Sequence, residues 1–255
     1  MNKQRFDLID TLRGLAVISM IGYHACWIWN LFGLGLSNEI INGTAFVIWE
    51  RSICMSFIVI SGYSFSLGRR HLRSGLLIFA LGLAVTVVTS LLLPEIRIVF
   101  GVLTFLGTAS LIMIPADKAL KGCNAKPRSL MVTALVLCLL LFLLTYNINR
   151  GFLGFTGSMR IDLPMWLYKG YLATFIGFTQ PGFVSSDYFS LIPWFFLYLS
   201  GYFLHKIIRG TGVEGGLLTH GLPGISFIGR HSLLIYIIHP IVLYGLIYML
   251  YMGIG

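Results

Sequence analysis

Residues 74–93, SGLLIFALGLAVTVVTSLLL, contain no charged side chain and end directly before Pro94. Coiled as a helix with a rise of about 1.5 Å per residue, this run is as long as the ~30 Å hydrocarbon core of a bilayer. A helix satisfies its own backbone hydrogen bonds, which lipid cannot do for it. The segment therefore predicts a transmembrane helix.

Comparable runs recur along the chain, and the overall composition agrees with them. Hydrophobic residues make up 57% of the sequence and charged residues 11%, which leaves too little polar surface for a soluble fold. We predict an all-α polytopic membrane helix bundle, a single domain over residues 1–255, with Pro94, Pro115 and Pro127 between spans. The seven predicted spans cover residues 9–32, 46–67, 74–93, 97–115, 129–147, 189–205 and 232–251.

One further apolar segment, LPMWLYKGYLATFIGFTQ at 163–180, differs from the spans because it is short and contains Lys169. It lies within the long connection 148–188. As an eighth span it would move the last basic connection to the other side of the membrane. We therefore predict a re-entrant or interfacial element here.

Basic residues alternate between the connections, being frequent in every second one and absent from 33–45. The positive-inside rule then predicts a cytoplasmic N-terminus and an extracytoplasmic C-terminus. This topology also accounts for the formal net charge of +9 without a nucleic-acid partner. The connections predicted to be cytoplasmic contain Lys3, Arg5, Arg13, Arg69, Arg70, Arg73, Lys118, Lys121, Lys126, Arg128, Lys206, Arg209 and Arg230.

The four cysteines, Cys26, Cys54, Cys123 and Cys138, do not have the spacing of metal ligands. Three of them lie in apolar runs, where a thiol behaves as a small hydrophobic group. We predict neither a metal site nor a disulfide framework.

Ionisable side chains inside the spans are the candidates for function. Each costs on the order of 2.5–3.5 kcal/mol to insert, so each needs a reason to be there. His24 can exchange a proton near neutral pH, with a packing role as the alternative. For the others the alternative is a structural ion pair or snorkelling to the interface. Counting from the span ends places all five predicted catalytic residues in the outer half of the bilayer: His24, Glu50, Arg51, Arg97 and Asp187.

A second, strongly cationic group is predicted at the inner ends of the spans. Positive-inside topology explains much of it, but it could also hold the phosphates of an anionic cofactor. His239 belongs to this layer and precedes Pro240, whose ring frees a backbone carbonyl and bends the helix. The predicted cofactor-binding residues are Arg13, Arg69, Arg70, Arg73, Arg230 and His239, and Asp10, His71 and His231 lie in the same layer.

The order of several motifs carries a resemblance to a known family. DTLRGLAVISMIGYH at 10–24 and FIVISGYSFSLGRR at 57–70 resemble the opening of the heparan-alpha-glucosaminide N-acetyltransferase catalytic-domain-like family. IRIVFGVLTFLG at 96–107, SDYFSLIPWFFLYLSGYFL at 186–204 and FIGRHSLLIYIIHPIVL at 227–243 are similar to its later segments. The first and last motifs are also similar to membrane acyltransferases that modify bacterial cell-surface glycans. The resemblance covers nearly the whole chain.

This resemblance implies acyl transfer across a bacterial cytoplasmic membrane. Cytoplasmic acetyl-CoA would donate its acetyl group to a hydroxyl or amine of an extracytoplasmic sugar. His24 would act as general base or nucleophile, Arg51 or Arg97 would stabilise the oxyanion, and Glu50 would orient the imidazole. The inner cationic residues would hold the CoA phosphates, and the pantetheine would pass His239. The predicted partners are membrane lipid, acyl-CoA and the glycan acceptor, with a homodimer left open.

Two motif features receive structural roles. Asp10 and Arg13 are expected to pair with one another or to position the donor. Ser61 and Gly62 are small, and small residues let membrane helices approach closely. We therefore expect another helix to pack tightly against residues 61–62.

The chain departs from its relatives at two places. Ile28 stands where bacterial relatives often have an acidic residue, four positions after the histidine. The eukaryotic lysosomal enzyme has its proposed catalytic histidine in the following outer connection, and residues 33–45 contain none. The acceptor therefore stays open.

Two other classes of protein remain alternatives. A transporter or flippase for an anionic lipid or glycan precursor would also need charges at two depths, although the sequence shows no inverted repeat. A non-catalytic membrane assembly partner needs packing alone, and it would tolerate the loss of His24.

Overall fold

A computed structural model describes residues 6–35, 38–122, 127–157, 159–209, 211, 213 and 216–254. Lys3, Arg5, Cys123 and Lys126 lie outside these residues. Within them, seven helices are long and apolar enough to cross a membrane, which confirms the predicted all-α bundle. These helices are α1 (Asp7–Leu31), α3 (Thr44–Phe65), α4 (His71–Leu92), α5 (Val102–Gly122), α6 (Arg128–Thr145), α8 (Leu191–Ile208) and α10 (Ser232–Ile254), and three shorter ones are α2 (Asn38–Ile41), α7 (Tyr171–Ile176) and α9 (Pro223–Arg230).

The prolines end helices at two of the three predicted places. Pro94 begins a 3₁₀ turn after α4, and Pro127 directly precedes α6. Pro115 lies inside α5, so its predicted place between spans is wrong. Membrane helices tolerate proline because neighbouring groups satisfy the carbonyl that it leaves free. Helix α5 therefore continues past Asp117, which the sequence pattern had assigned to a connection.

The chain divides into two compact units, of which the first comprises Met1–Ile60 and Ile208–Gly255. In this unit α9 crosses α1 at close range. A Cβ atom added to Gly14 would collide with the carbonyl of Ile225, and one added to Gly229 would collide with that of Asp10. The hydroxyl of Thr11 joins the two helices by accepting a hydrogen bond from the backbone N–H of Leu222 at 3.0 Å.

A small apolar core lies in the same unit and shows how α10 is aligned with α1. Val17 and Met20 of α1 are buried with Ile53 of α3, and Ile235 and Tyr236 of α10 pack against them. Further along, Phe32 packs against Tyr244, Tyr248 and Tyr251. Helices α1 and α10 therefore run side by side in the same direction.

The second unit, Ser61–Ile207, is held together by glycine contacts. A Cβ at Gly82 of α4 would lie 2.5 Å from the backbone N of Thr104 in α5, and one at Gly107 would lie 2.5 Å from that of Phe79. At the end of α3, a Cβ on Gly62 would collide with the carbonyl of Tyr198 in α8. The predicted close approach at Ser61-Gly62 is confirmed.

The connection 148–188 contains a two-stranded antiparallel hairpin, β1 (Phe152–Gly154) with β2 (Arg160–Asp162), that pairs Leu153 with Ile161. Residues 163–180 contribute a 3₁₀ turn and the six-residue helix α7. A transmembrane helix needs about 20 residues, so α7 is too short to cross. The segment forms no eighth span.

Tyr168 anchors this connection. Its side chain is buried, and its O–H donates a hydrogen bond of 2.7 Å to the carbonyl of Ile148. The same carbonyl accepts a second bond, of 3.1 Å, from the N–H of Gly151. Burial raises the pKa of the Tyr168 phenol, so the hydroxyl keeps its proton and remains a donor.

Tyr168→Phe is expected to lower the free energy of unfolding by about 0.5–1.5 kcal/mol, because a buried hydrogen bond is lost without a change in shape. Denaturant unfolding of the protein in detergent measures this change. Tyr171→Phe is the matched control, since Tyr171 is 58% exposed. Equal stability of the two variants would show that the Tyr168 hydroxyl contributes nothing.

Candidate functional site: a histidine pair in the first unit

Two histidines from different helices meet in the first unit. The ring centroids of His24 in α1 and His239 in α10 lie 5.0 Å apart, with the rings inclined at 58°. His24 is half-buried, and only 6% of His239 is exposed. The sequence pattern predicts these residues in opposite layers, and this separation in depth is wrong because the two rings are in contact.

The error has a physical cause in α9. This helix lies across the first turns of α1, where Gly229 contacts Asp10, and α10 begins only after it. Residue 235 is therefore already beside Val17 and Met20. His239 stands beside His24 although it is much closer to the start of its own helix.

The hydrogen bonds of His239 define its tautomer. Its Nδ1 lies 2.8 Å from the carbonyl oxygen of Tyr236 and 3.1 Å from that of Ile235. Carbonyl oxygens only accept, so Nδ1 carries the proton. In the neutral ring the lone pair is then on Nε2, which is buried and has no hydrogen-bond partner among the residues that the structure describes. His239 thus presents a buried base.

Aromatic rings surround the pair. Tyr23 lies edge-on to His24 with centroids 5.5 Å apart, and Tyr236 lies edge-on to His239 at 5.9 Å. Over the described ranges of the chain, His24 itself makes no hydrogen bond, so its imidazole is available to a substrate. The same ranges contain no group of three His, Cys, Asp or Glu side chains that could hold a metal ion.

Glu50 and Arg51 approach this region from α3, on the side of Tyr23. The Tyr23 ring packs against Trp49 at 5.7 Å, and its hydroxyl is within electrostatic range of Glu50 and Arg51. Glu50 makes no hydrogen bond to His24 in the described part of the chain, so the predicted orienting contact is not seen. The imidazole of His239, and not the carboxylate of Glu50, lies beside His24.

Arg97 and Asp187 belong to the second unit, where both support the backbone. Asp187 Oδ2 accepts a hydrogen bond of 3.0 Å from the N–H of Val102, the first residue of α5. Arg97 Nε donates one of 3.2 Å to the carbonyl of Val184. A carboxylate at a helix N-terminus is a stabilising cap. The catalytic assignments of Arg97 and Asp187 stay predictions.

The predicted cofactor-binding arginines differ in how accessible they are. Arg13 Nη1 pairs with Asp10 Oδ1 at 3.0 Å, which confirms the predicted pairing of these two side chains. Arg230 is exposed at the end of α9, its guanidinium 5.9 Å from the ring centroid of Phe227. Arg69, Arg70 and Arg73 are exposed at the start of α4 in the second unit. Arg13 is thus the one of these arginines whose charge a carboxylate already balances within the described residues.

The comparison with known families decides the class of protein. The family model described as "Heparan-alpha-glucosaminide N-acetyltransferase, catalytic" matches residues 5–241. The chain belongs to this family. No curated protein and no solved structure matches it. The family and the seven apolar helices make the chain an integral membrane protein of the acetyltransferase type.

Sequence reasoning missed one buried charged group in this acetyltransferase-family chain. Asp117 of α5 accepts a hydrogen bond of 2.6 Å from the Tyr202 hydroxyl and lies 3.6 Å from Lys206 Nζ, both of α8. Ending the fourth span at Pro115 had placed Asp117 in a connection. An acidic residue two positions after a proline in an apolar run was the available signal. The group joins α5 to α8 in the second unit.

Proposed function

We propose that the protein transfers the acetyl group of cytoplasmic acetyl-CoA to a hydroxyl or amine of a sugar on the opposite side of the membrane. The observation that carries the proposal is the His24–His239 pair, with centroids 5.0 Å apart in two apolar helices of an acetyltransferase-family chain. Imidazoles in such helices are costly to insert and suited to proton transfer. The pair supplies a base where an acyl acceptor needs one.

His24 is the proposed general base. As the acceptor oxygen or nitrogen forms its bond to the acetyl carbonyl carbon, His24 takes the acceptor's proton. The carbon–sulfur bond then breaks, and CoA leaves as a thiolate that is protonated to the thiol. Because His24 has no hydrogen bond of its own in the described residues, its nitrogen is free to receive that proton.

Arg51 is the proposed stabiliser of the developing oxyanion, because its charge acts on the hydroxyl of Tyr23, the residue next to His24. Glu50, the preceding residue of α3, is proposed to offset part of that charge. This differs from its expected role as the group that orients His24. Arg97 and Asp187 remain candidates for contacts with the acceptor.

The proposed binding of the donor rests on the charge of its phosphates. CoA carries phosphates, and arginine binds phosphate through paired N–H groups. Arg69, Arg70, Arg73 and Arg230 are exposed and chemically suited to them. With the N-terminus in the cytoplasm, as the basic connections suggest, these residues would meet the cytoplasmic donor.

The direct test is transfer across a membrane. Purified protein is reconstituted into liposomes that contain acetyl-CoA labelled in the acetyl group, and glucosamine or N-acetylglucosamine is added outside. We expect free thiol to rise inside and labelled sugar to collect outside. Glucosamine offers an amine and hydroxyls, whereas N-acetylglucosamine offers hydroxyls alone, so comparing them separates amide from ester formation.

Protein-free liposomes and liposomes with unlabelled donor are the controls. Release of labelled acetyl-CoA intact to the outside would instead indicate a transporter. If there is neither CoA binding nor thioester loss with either sugar, the chain is not an acyl-CoA-dependent transferase.

A further inference from the structure

We infer that His239 is the proton partner of His24 and that Pro240 fixes it in the tautomer this role requires. The inference deepens the proposed acetyl transfer and rests on it. It assigns His239 to proton transfer, whereas the sequence pattern had assigned it to the donor-binding layer. The placement of one proline carries the argument.

Pro240 frees the acceptor that His239 uses. In an α-helix the N–H of residue 240 would bond to the carbonyl of Tyr236, four residues earlier. Proline has no N–H, so residue 240 donates no hydrogen bond to that carbonyl. His239 Nδ1 lies 2.8 Å from this oxygen and supplies the missing hydrogen bond. The same contact therefore satisfies the carbonyl and, together with the longer contact of Nδ1 to the carbonyl of Ile235 at 3.1 Å, holds the Nδ1–H tautomer.

The lock leaves the other ring nitrogen as a base in a dry setting. Nε2 has a lone pair, is buried, and has no hydrogen-bond partner in the described ranges. A buried hydrogen-bond acceptor without a partner costs free energy. Side-chain packing alone gives no reason to retain that cost, whereas a proton received during the reaction does.

The neighbouring group that can supply this proton is His24. Their ring centroids are 5.0 Å apart, and no hydrogen bond joins the two rings among the described residues, so the proposed transfer uses one bridging water or a rotation of one ring during turnover. Catalytic hydrogen bonds are often long before the substrate binds and shorten in the complex. The geometry therefore suits a transfer that occurs during turnover.

The proposed proton path balances over one cycle. The acceptor loses a proton to one nitrogen of His24, and His24 releases a proton from its other nitrogen to His239 Nε2. When the carbon–sulfur bond breaks, the CoA thiolate takes the proton from His239. Both imidazoles end neutral, and the net reaction is acceptor plus acetyl-CoA giving acetylated acceptor plus CoA thiol. His24 ends with its proton on the nitrogen that took it from the acceptor, and proton exchange with water returns the ring to its starting tautomer before the next cycle.

The first test reads the tautomer without any activity. Nitrogen-15 spectra of histidine-labelled full-length protein in detergent report whether each ring nitrogen carries a proton, and His239→Gln assigns the signals by their loss. We expect a protonated Nδ1 and an unprotonated Nε2 at His239. Pro240→Ala restores the helical N–H to the carbonyl of Tyr236 and leaves Nδ1 only the longer contact to the carbonyl of Ile235, so we expect a second tautomer to appear in that variant. A protonated Nε2 in the unmodified protein would overturn the inference, even if acetyl transfer is confirmed.

The second test separates proton transfer from donor binding. His239→Gln should lower kcat by about 10²-fold, at the low end of what a positioned acid–base group contributes, while KM for acetyl-CoA is unchanged. Pro240→Ala should lower kcat by about 10-fold, a part of that effect, because only one tautomer is competent. Pro115→Ala is the matched control, a mid-helix proline with no histidine before it, and should leave kcat unchanged.

The outcomes distinguish this inference from the proposed function. A raised KM with unchanged kcat in His239→Gln would assign His239 to the donor and refute the proton role. Unchanged kinetics in Pro240→Ala, with the tautomer ratio altered in the spectra, would refute it as well. If the unmodified protein releases no CoA thiol, the acetyl transfer fails and the proton role fails with it, whereas the tautomer lock is still decided by the spectra.

Discussion

His24→Ala is expected to lower the rate of acetyl transfer by about 10²- to 10⁴-fold, the range that a positioned general acid–base group contributes. The imidazole of His24 is the proposed acceptor of the sugar's proton. His239, whose ring centroid is 5.0 Å from that of His24, does not occupy the same position and so cannot replace it. Acetyl-CoA binding should survive, because the proposed phosphate contacts are made by other residues. Thiol release and label transfer in liposomes measure the loss, and equilibrium binding of CoA measures the donor.

Two further variants keep this result interpretable. His24→Gln retains a polar side chain of similar size but cannot act as a base, so it should be as inactive as His24→Ala. His220→Ala removes an exposed histidine whose Nδ1 bonds to the carbonyl of Gly216, and it should transfer at the unmodified rate. Full activity in both His24 variants would leave that residue with a packing role.

The membrane spans could be read from the sequence because their signal is local. A run such as 74–93 has no charged side chain, so its composition and length predict a transmembrane helix, with ends correct to within a few residues. Helix α4 spans His71–Leu92, close to that expectation. The pairing of Asp10 with Arg13 is also local, since residues three apart share a helix face.

The site could be predicted only in part, because depth along one helix does not give its alignment with another. Counting from the ends of the apolar runs placed His24 and His239 in different layers. The alignment depends on α9, an eight-residue helix that packs against the first turns of α1, so that α10 begins only beyond those turns. Such a helix is too short to be seen as a span. The sequence signals available for α9 are Pro223, followed by Gly224 and Gly229, in a short segment with one polar face.

The hairpin 152–162 and the burial of Asp117 were missed for a related reason. Three-residue strands give no reliable alternation, and a proline in an apolar run predicts the end of a helix, whereas Pro115 lies inside α5. In each case the structure depends on a partner distant in the sequence, such as Tyr202 for Asp117. Local patterns cannot supply that partner.

Gly229→Ala is expected to destabilise the first unit by about 1–3 kcal/mol, the usual cost of forcing an extra carbon into a packed interface. The new Cβ would meet the carbonyl of Asp10 and lie 2.8 Å from the backbone N of Gly14. Because both contacts are backbone, neither can move as the end of a flexible side chain would. Helix α9 must shift away from α1 instead.

This shift should also reach the histidine pair, and that gives the substitution a second readout. Helix α10 begins at Ser232, directly after α9, so displacing α9 moves His239 relative to His24. We expect both a lower unfolding midpoint in detergent and a lower kcat for thiol release. Gly224→Ala is the matched control in the same helix, because its Cβ would have no atom within 4 Å and alanine favours a helix over glycine. Equal midpoints and equal rates for the two variants would mean that the contact between α9 and α1 does not position the pair.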